Sequence, residues 1–131
     1  MSQISHNTGE SEVYPGFLVQ PVTFDTTIVS VGDHLDFRNL SDFKILLTKE
    51  FEKGTRNFIL DFSKTKSFDS AGVGSLFALY KRLSQDSGMI CFASASDVVM
   101  KTVEITRSYK IFPQYQTVEA AQRAVRKLRF S

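Results

Sequence analysis

From Phe17 onward, short apolar runs alternate with longer stretches in which apolar residues recur every three or four positions. Phe17–Phe24 predicts a strand, with Pro21 marking an edge position or a bulge. After a turn at Asp25-Thr26, Thr27–Val31 is β-branched and predicts a second strand. So short a connection makes the pair antiparallel. Phe37, Leu40, Phe43, Leu47 and Phe51, joined by Ile45 and Leu46, then form a helical stripe that Gly54 closes. Phe58-Ile59-Leu60-Asp61 has the character of a central strand covered by helices on at least one face.

The next helix runs from about Ser70 to Gln85, with Val73, Leu76, Phe77, Tyr80 and Leu83 inward and Ser75, Lys81, Arg82 and Gln85 outward. Met89–Ala93 predicts another buried strand. Asp97 is positioned to cap a helix that turns Val98, Val99, Val103 and Ile105 to the core. Ile111–Tyr115 predicts a last strand, and Thr117 caps a helix reaching about Leu128. No Glu stands three residues after Thr117, so the reciprocal capping box is missing. The order β-β-α-β-α-β-α-β-α describes an α/β fold on a sheet of mixed strand direction. Residues 1–14 are polar and aperiodic, which predicts a flexible N-terminal tail ahead of one domain over residues 15–131.

A chain of 131 residues suits one domain with a core that needs neither disulfide nor metal. Twelve Phe and no Trp make that core Phe-rich. A net charge of +2 lacks the basic excess of a nucleic-acid binder, so no direct nucleic-acid contact is expected. Cys91 is a single cysteine in an apolar strand, which excludes an internal disulfide and suits a small core filler. No basic start leads into an apolar stretch, and no apolar run approaches the length of a membrane helix. The expectation is a cytoplasmic protein without a membrane span.

The chemistry concentrates in Phe58-Ile59-Leu60-Asp61-Phe62-Ser63 and, after a short polar connection, Ser67-Phe68-Asp69-Ser70-Ala71-Gly72-Val73-Gly74. A buried strand leads to a serine at the start of an amphipathic helix, beside unpaired amides and the positive end of the dipole. Asp69 and Ser70 are both good capping types, so either can cap. Gly72 and Gly74 are poor helix formers in a first turn. They either clear a surface beside Ser70 for a partner backbone or a nucleotide phosphate, or let the helix pack tightly on a strand.

This pattern, apolar-apolar-Asp-Phe-Ser followed by Phe-Asp-Ser-Ala-Gly-Val-Gly, resembles the signature of STAS domains, specifically bacterial anti-sigma factor antagonists. The resemblance covers about Phe17 to Leu128 and implies a mixed sheet with helices packed mainly on one face. It implies that Ser70 is phosphorylated by an anti-sigma factor with serine kinase activity, and that a serine phosphatase resets it. The unphosphorylated protein would bind the anti-sigma factor and free the sigma factor; the phosphorylated form would let go. By the same resemblance Asp69, Ala71, Gly72 and Gly74 belong to the contact surface. Asp36, or Asp33, takes the place of an acidic residue near the acceptor, in a stretch one residue longer than the usual pattern. The implied state is a monomer or weak dimer without cofactor or catalytic residues.

Other readings fit the residues less well. A phosphoaspartate receiver would need an acidic pair after the first strand and a lysine after the last, but Asp25 stands alone and no lysine follows Ile111-Phe112-Pro113. A hydrolase elbow needs Gly where Phe68 stands, and only His6 and His34 could act as base. No His, Asp and Glu cluster has metal-ligand spacing. Arg123, Arg126, Lys127 and Arg129 suit the negative end of their helix. Two alternatives remain: a STAS-type structural subunit of a transporter or lipid-trafficking complex, with Ser70 only a cap, and a weak nucleotide-binding protein that uses Gly72 and Gly74.

Overall fold

The computed structural model describes residues 11–129. The elements run β1 (Glu12–Tyr14), β2 (Phe17–Pro21), β3 (Thr26–Val31), β4 (His34–Leu35), α1 (Leu40–Lys53), β5 (Asn57–Asp61), β6 (Ser67–Phe68), α2 (Ser70–Leu83), β7 (Met89–Ala93), α3 (Asp97–Thr106), β8 (Gln114–Tyr115) and α4 (Val118–Arg129). Six strands form one sheet in the order β1-β2-β3-β5-β7-β8. The first two pairings are antiparallel; β3, β5, β7 and β8 pair in parallel. This is the mixed α/β architecture the element order predicts. The carboxyl ends of β3 and β5 therefore lie at one edge of the sheet, where crevices of open α/β folds form.

Alternation along the strands divides the core in two. Val19, Val29, Phe58, Leu60, Ile90 and Phe92 face one way and pack against Phe43, Leu46 and Leu47 of α1, Val73, Leu76 and Leu83 of α2, and Val99 and Val103 of α3. Ile28, Ile59, Cys91 and Ala93 face the other way and are covered by Ala121 and Val125 of α4. Three helices thus occupy one face and a single helix the other. The Cys91 thiol, pushed up to about 12 by burial, is core packing.

The larger layer is built on aromatic rings in edge-on and stacked contact. Phe92 lies 4.9 Å from Phe62, 5.2 Å from Phe112 and 6.1 Å from Phe68, measured between ring centroids. Such contacts add specific geometry to a large apolar burial.

Several side chains sit differently from their sequence expectation. Glu12–Tyr14, assigned to the tail, pair with Phe17–Val19 at the sheet edge. Residues 1–10 of that tail, His6 included, lie outside the described residues. An ion cluster holds β1 down: Lys53 Nζ bonds Glu12 Oε1 at 2.7 Å and the buried Glu50 Oε2 at 3.2 Å. Burial raises the Glu50 carboxyl above its ordinary range, while the bond from Lys53 lowers that of Glu12. Nothing in the periodicity signals a lysine reaching between two elements.

Phe37, expected in the α1 stripe, stands in the turn before the helix and is 78% exposed. On α3 only Val99 and Val103 are buried, while Val98 and Ile105 face solvent. Ser96, not Asp97, caps that helix by accepting from Val99 N. On α2, Ser75 is buried because its hydroxyl donates to Gly72 O at 2.7 Å, which satisfies its polar atom within the helix. The last strand shrinks to Gln114–Tyr115, and Phe112 enters the core from the preceding loop.

Phe92→Ala should cost about 3–5 kcal/mol, whereas Ile105→Ala on the solvent side should stay within about 0.5 kcal/mol of the parent. Urea denaturation of the two variants separates the outcomes. Equal losses would mean that Ile105 packs in the folded state.

Candidate functional site

The site is assembled on a ribbon of two short strands. His34 and Leu35 pair in parallel with Ser67 and Phe68, so the connections leaving β3 and β5 run side by side. Backbone bonds extend this pairing at both ends, from Lys66 N to Asp33 O at 2.8 Å and from Asp69 N to Leu35 O at 3.4 Å. Leu35 and Phe68 turn into the core, and the Thr102 hydroxyl of α3 donates to Phe68 O. The ribbon delivers the chain to the N-terminus of α2 at a defined height above the sheet.

Asp69 caps α2. Its backbone is extended (φ −116°, ψ 177°), and its Oδ1 accepts from Gly72 N at 3.1 Å. This decides between the two capping candidates and leaves Ser70 as the first helical residue. Ser70 is exposed, and among the described residues its hydroxyl makes no hydrogen bond. The first amides of a helix lack intrahelical acceptors, and the positive end of the dipole falls there. An accessible hydroxyl thus stands at the end of a rigid element where a negative group is tolerated.

The two glycines have different reasons. A Cβ on Gly72 would meet Phe68 Cε1 at 2.9 Å and Leu35 Cγ at 3.2 Å. Gly72 is buried against the ribbon, and its role is close packing. A Cβ on Gly74 would meet nothing within 4 Å, so Gly74 leaves open surface one turn along from Ser70. Ala71, between Ser70 and Gly72, is half-buried.

Asp36 stands one residue beyond the Leu35–Phe68 pair and is only 4% exposed. Its carboxylate is fully engaged. Oδ1 accepts from Arg38 N at 3.0 Å and Arg38 Nε at 3.1 Å; Oδ2 accepts from Arg38 Nη2 at 2.8 Å and Ser67 Oγ at 2.7 Å. The Arg38 fork, helped by the Ser67 hydroxyl, holds this carboxyl well below the usual carboxylate range despite its burial. Sequence reasoning placed Asp36 near Ser70 but missed Arg38 and Ser67, the residues that pair with its charge. Asp33 lies at the ribbon's other end, exposed, 3.9 Å from Lys66 Nζ.

No group of three His, Cys, Asp or Glu among the described residues is placed to hold a metal. Among these residues no helix is long and apolar enough to cross a membrane. A crevice of about 250 Å³ opens near the ends of β3 and β5, lined by Gly16, Leu18, Ser30, Asp61, Ser63 and Lys64 among others. It involves neither Gly72 nor Gly74, the residues on which nucleotide binding would rest.

The STAS domain family model matches residues 18–121. This chain belongs to the STAS domain family. The STAS domain is 27% identical over 104 residues to a candidate anti-sigma factor antagonist of Thermotoga maritima, covering 79% of this chain and 92% of that relative. It is 28% identical over 78 residues to the anti-sigma-B factor antagonist of Staphylococcus aureus strain NCTC 8325, covering 60% of this chain and 72% of that one. The structure of the anti-sigma factor antagonist SpoIIAA in its unphosphorylated form superposes with a TM-score of 0.76 at 21% identity, covering 85% of this chain and 96% of that one. The fold is therefore that of STAS domains.

Two outcomes follow from this geometry. Gly72→Ala should destabilise the STAS domain by about 1–3 kcal/mol through overpacking against Phe68 and Leu35. Gly74→Ala should instead stabilise it by about 0.5–1 kcal/mol through helix propensity. Thermal unfolding of both variants reads the difference, and a stabilising Gly72→Ala would contradict the packing described.

The Asp36 carboxyl titrates lower in the folded chain than in the unfolded one, where about 3.9 is ordinary. Its stabilising effect is therefore complete at neutral pH and fades as pH falls below about 4. Asp36→Asn should lose about 1–3 kcal/mol at pH 7 and show a shallower acid decline than the parent. Urea midpoints at pH 7 and pH 3 measure both. Parallel acid declines would contradict the role given to this carboxylate.

Proposed function

We propose that this STAS domain is an anti-sigma factor antagonist whose binding surface is switched by phosphorylation of Ser70. The observation that carries the reading is the exposed, unbonded Ser70 hydroxyl at the first position of α2, with Asp69 already serving as cap. A serine that only capped the helix would have its oxygen on a first-turn amide. Here that duty belongs to the neighbour, and the hydroxyl is left for a visiting enzyme. The named relatives support the same role.

The transfer is a simple exchange. The kinase partner moves the γ-phosphoryl group of ATP to Ser70 Oγ. The bond to the β-phosphate breaks, ADP leaves, and the hydroxyl proton passes to a base of the kinase. A serine phosphatase reverses the mark by hydrolysis. The added group carries roughly −1.5 to −2 charges at neutral pH. The scaffold tolerates it, since an anion at a helix N-terminus gains about 0.3–1 kcal/mol. A partner surface fitted to a neutral hydroxyl does not, because like charge or lost solvation across an interface costs several kcal/mol. Asp69, Ser70, Ala71 and Gly74 form the partner-facing surface; Gly72 and Asp36 support it from below. The switch needs no large change of shape.

The test incubates the protein and its Ser70→Ala and Ser70→Asp variants with ATP and an anti-sigma factor of the serine-kinase type, then locates phosphate by mass spectrometry. Both variants should lose labelling. Ser70→Ala should retain partner binding, and Ser70→Asp should weaken it at least tenfold, or about 1.4 kcal/mol. Labelling at another residue, or equal affinity of the two variants, would sink the reading and leave a structural STAS subunit.

A further inference from the structure

We infer that Arg38 is the receptor for the phosphoryl group on Ser70, a guanidinium aimed by Asp36 and left open on its outer edge. The inference rests on the reading of Ser70 as a phosphoacceptor and adds how the modified state is held.

The argument begins with what Asp36 does. A nearly buried carboxylate beside a phosphorylated serine would oppose the modification if its charge were free. It is not free, because Arg38 approaches with its backbone N–H, Nε and Nη2, and Ser67 supplies a further hydroxyl donor. The four donors use both carboxylate oxygens and fix the plane of the guanidinium. A side chain held in this way loses little freedom when it binds a second anion.

The guanidinium itself is only partly used. Its side chain is half-exposed, and among the described residues its Nη1 has no acceptor. An arginine fork has five N–H donors, so it can keep Asp36 and offer its remaining edge to phosphate oxygens. Arg38 thereby bridges two anions rather than leaving one for the other.

Two contacts join the Arg38 segment to the one that leads into Ser70. Asp36 follows Leu35, and Leu35 O accepts from Asp69 N, so Asp36, the residue that aims Arg38, lies beside the residue that precedes Ser70. The Asp36 contact with Ser67 ties the two segments together three residues before Ser70. The other charged or titratable groups on these segments are Asp33 with Lys66, His34 and Asp69, and α3, whose Thr102 donates to Phe68 O, carries Lys101 and Glu104. Lys66 is exposed and lies 3.9 Å from Asp33. Of these cations, Arg38 is the one oriented by a buried carboxylate.

The consequence is a phosphorylated state with a defined shape. The phosphoryl group lies against Arg38 across the start of α2 instead of swinging in solvent. A partner then meets both a new charge and a rearranged hydrogen-bonding edge.

The experiment places phosphoserine at position 70 of the full chain during translation, so no kinase is needed. The ³¹P chemical shift is followed against pH for the parent, Arg38→Gln, Arg38→Lys and Lys66→Gln chains. The second phosphate ionisation of the parent should lie below about 6. Arg38→Gln should raise it by about half a unit or more, and Arg38→Lys by less, since a nearby cation favours the dianion. Lys66→Gln should leave it in place. On the parent alone, the Arg38 Nε–H and Nη–H resonances should shift on phosphorylation, which keeps the test valid if Arg38→Gln folds poorly. An unchanged ionisation in Arg38→Gln with unmoved guanidinium resonances would overturn the inference, as would a shift caused by Lys66→Gln instead. Failure of kinase labelling at Ser70 would sink the functional reading alone, because this measurement does not depend on it.

Discussion

Pairing of His34–Leu35 with Ser67–Phe68 is the constraint on which the surface depends. Two residues on each side are a small ladder, and two short strands alone are marginal in water. What makes it hold is that one side of the ribbon is apolar and the other is polar. Leu35 and Phe68 enter the ring-stacked core, while Asp36, Arg38 and Ser67 close a hydrogen-bonded patch above it. The ribbon thus converts core packing into a fixed position for the start of α2.

Rigidity and accessibility coexist here because they fall on different atoms. Asp69 and Gly72 are consumed by structure: one caps the helix, and the other admits the Phe68 ring. Ser70 and Gly74 are left uncommitted on the outside. A surface built this way can gain charge without disturbing the fold, because no buried bond includes the hydroxyl that changes. The proposed local switch at Ser70 would rely on this separation.

Electrostatics refine this division. A carboxylate close to the proposed phosphoacceptor suggests repulsion when it is read as a lone charge. With the Arg38 fork in place, the pair is nearly neutral, and what it presents outward is donor capacity. The ion cluster of Lys53, Glu12 and Glu50 does different work at the opposite end of α1, where it pins the edge strand to a helix. In both places a half-exposed cation completes a buried carboxylate, which would otherwise carry a large desolvation cost.

By itself the sequence determined the order of the principal elements, since apolar runs such as Phe58–Leu60 and the stripe of α1 are local signals set by backbone geometry. It also located the serine motif, and Gly54 at a helix end was legible because only a left-handed residue closes α1 there, at φ 116°. Tertiary structure decided which apolar residues at the margins of these stripes stay outside. Phe37, Val98 and Ile105 carry the same hydrophobicity as their buried neighbours, and only the placement of the turn before α1 and the rotation of α3 sends them outward. It likewise separated Gly72 from Gly74, chose Asp69 over Ser70 as the cap, and gave Asp36 its partners. The Gly72 packing and the Ser67 bond to Asp36 join atoms from distant parts of the chain, and the cap turns on the phase of one helix; neither quantity is written in local periodicity.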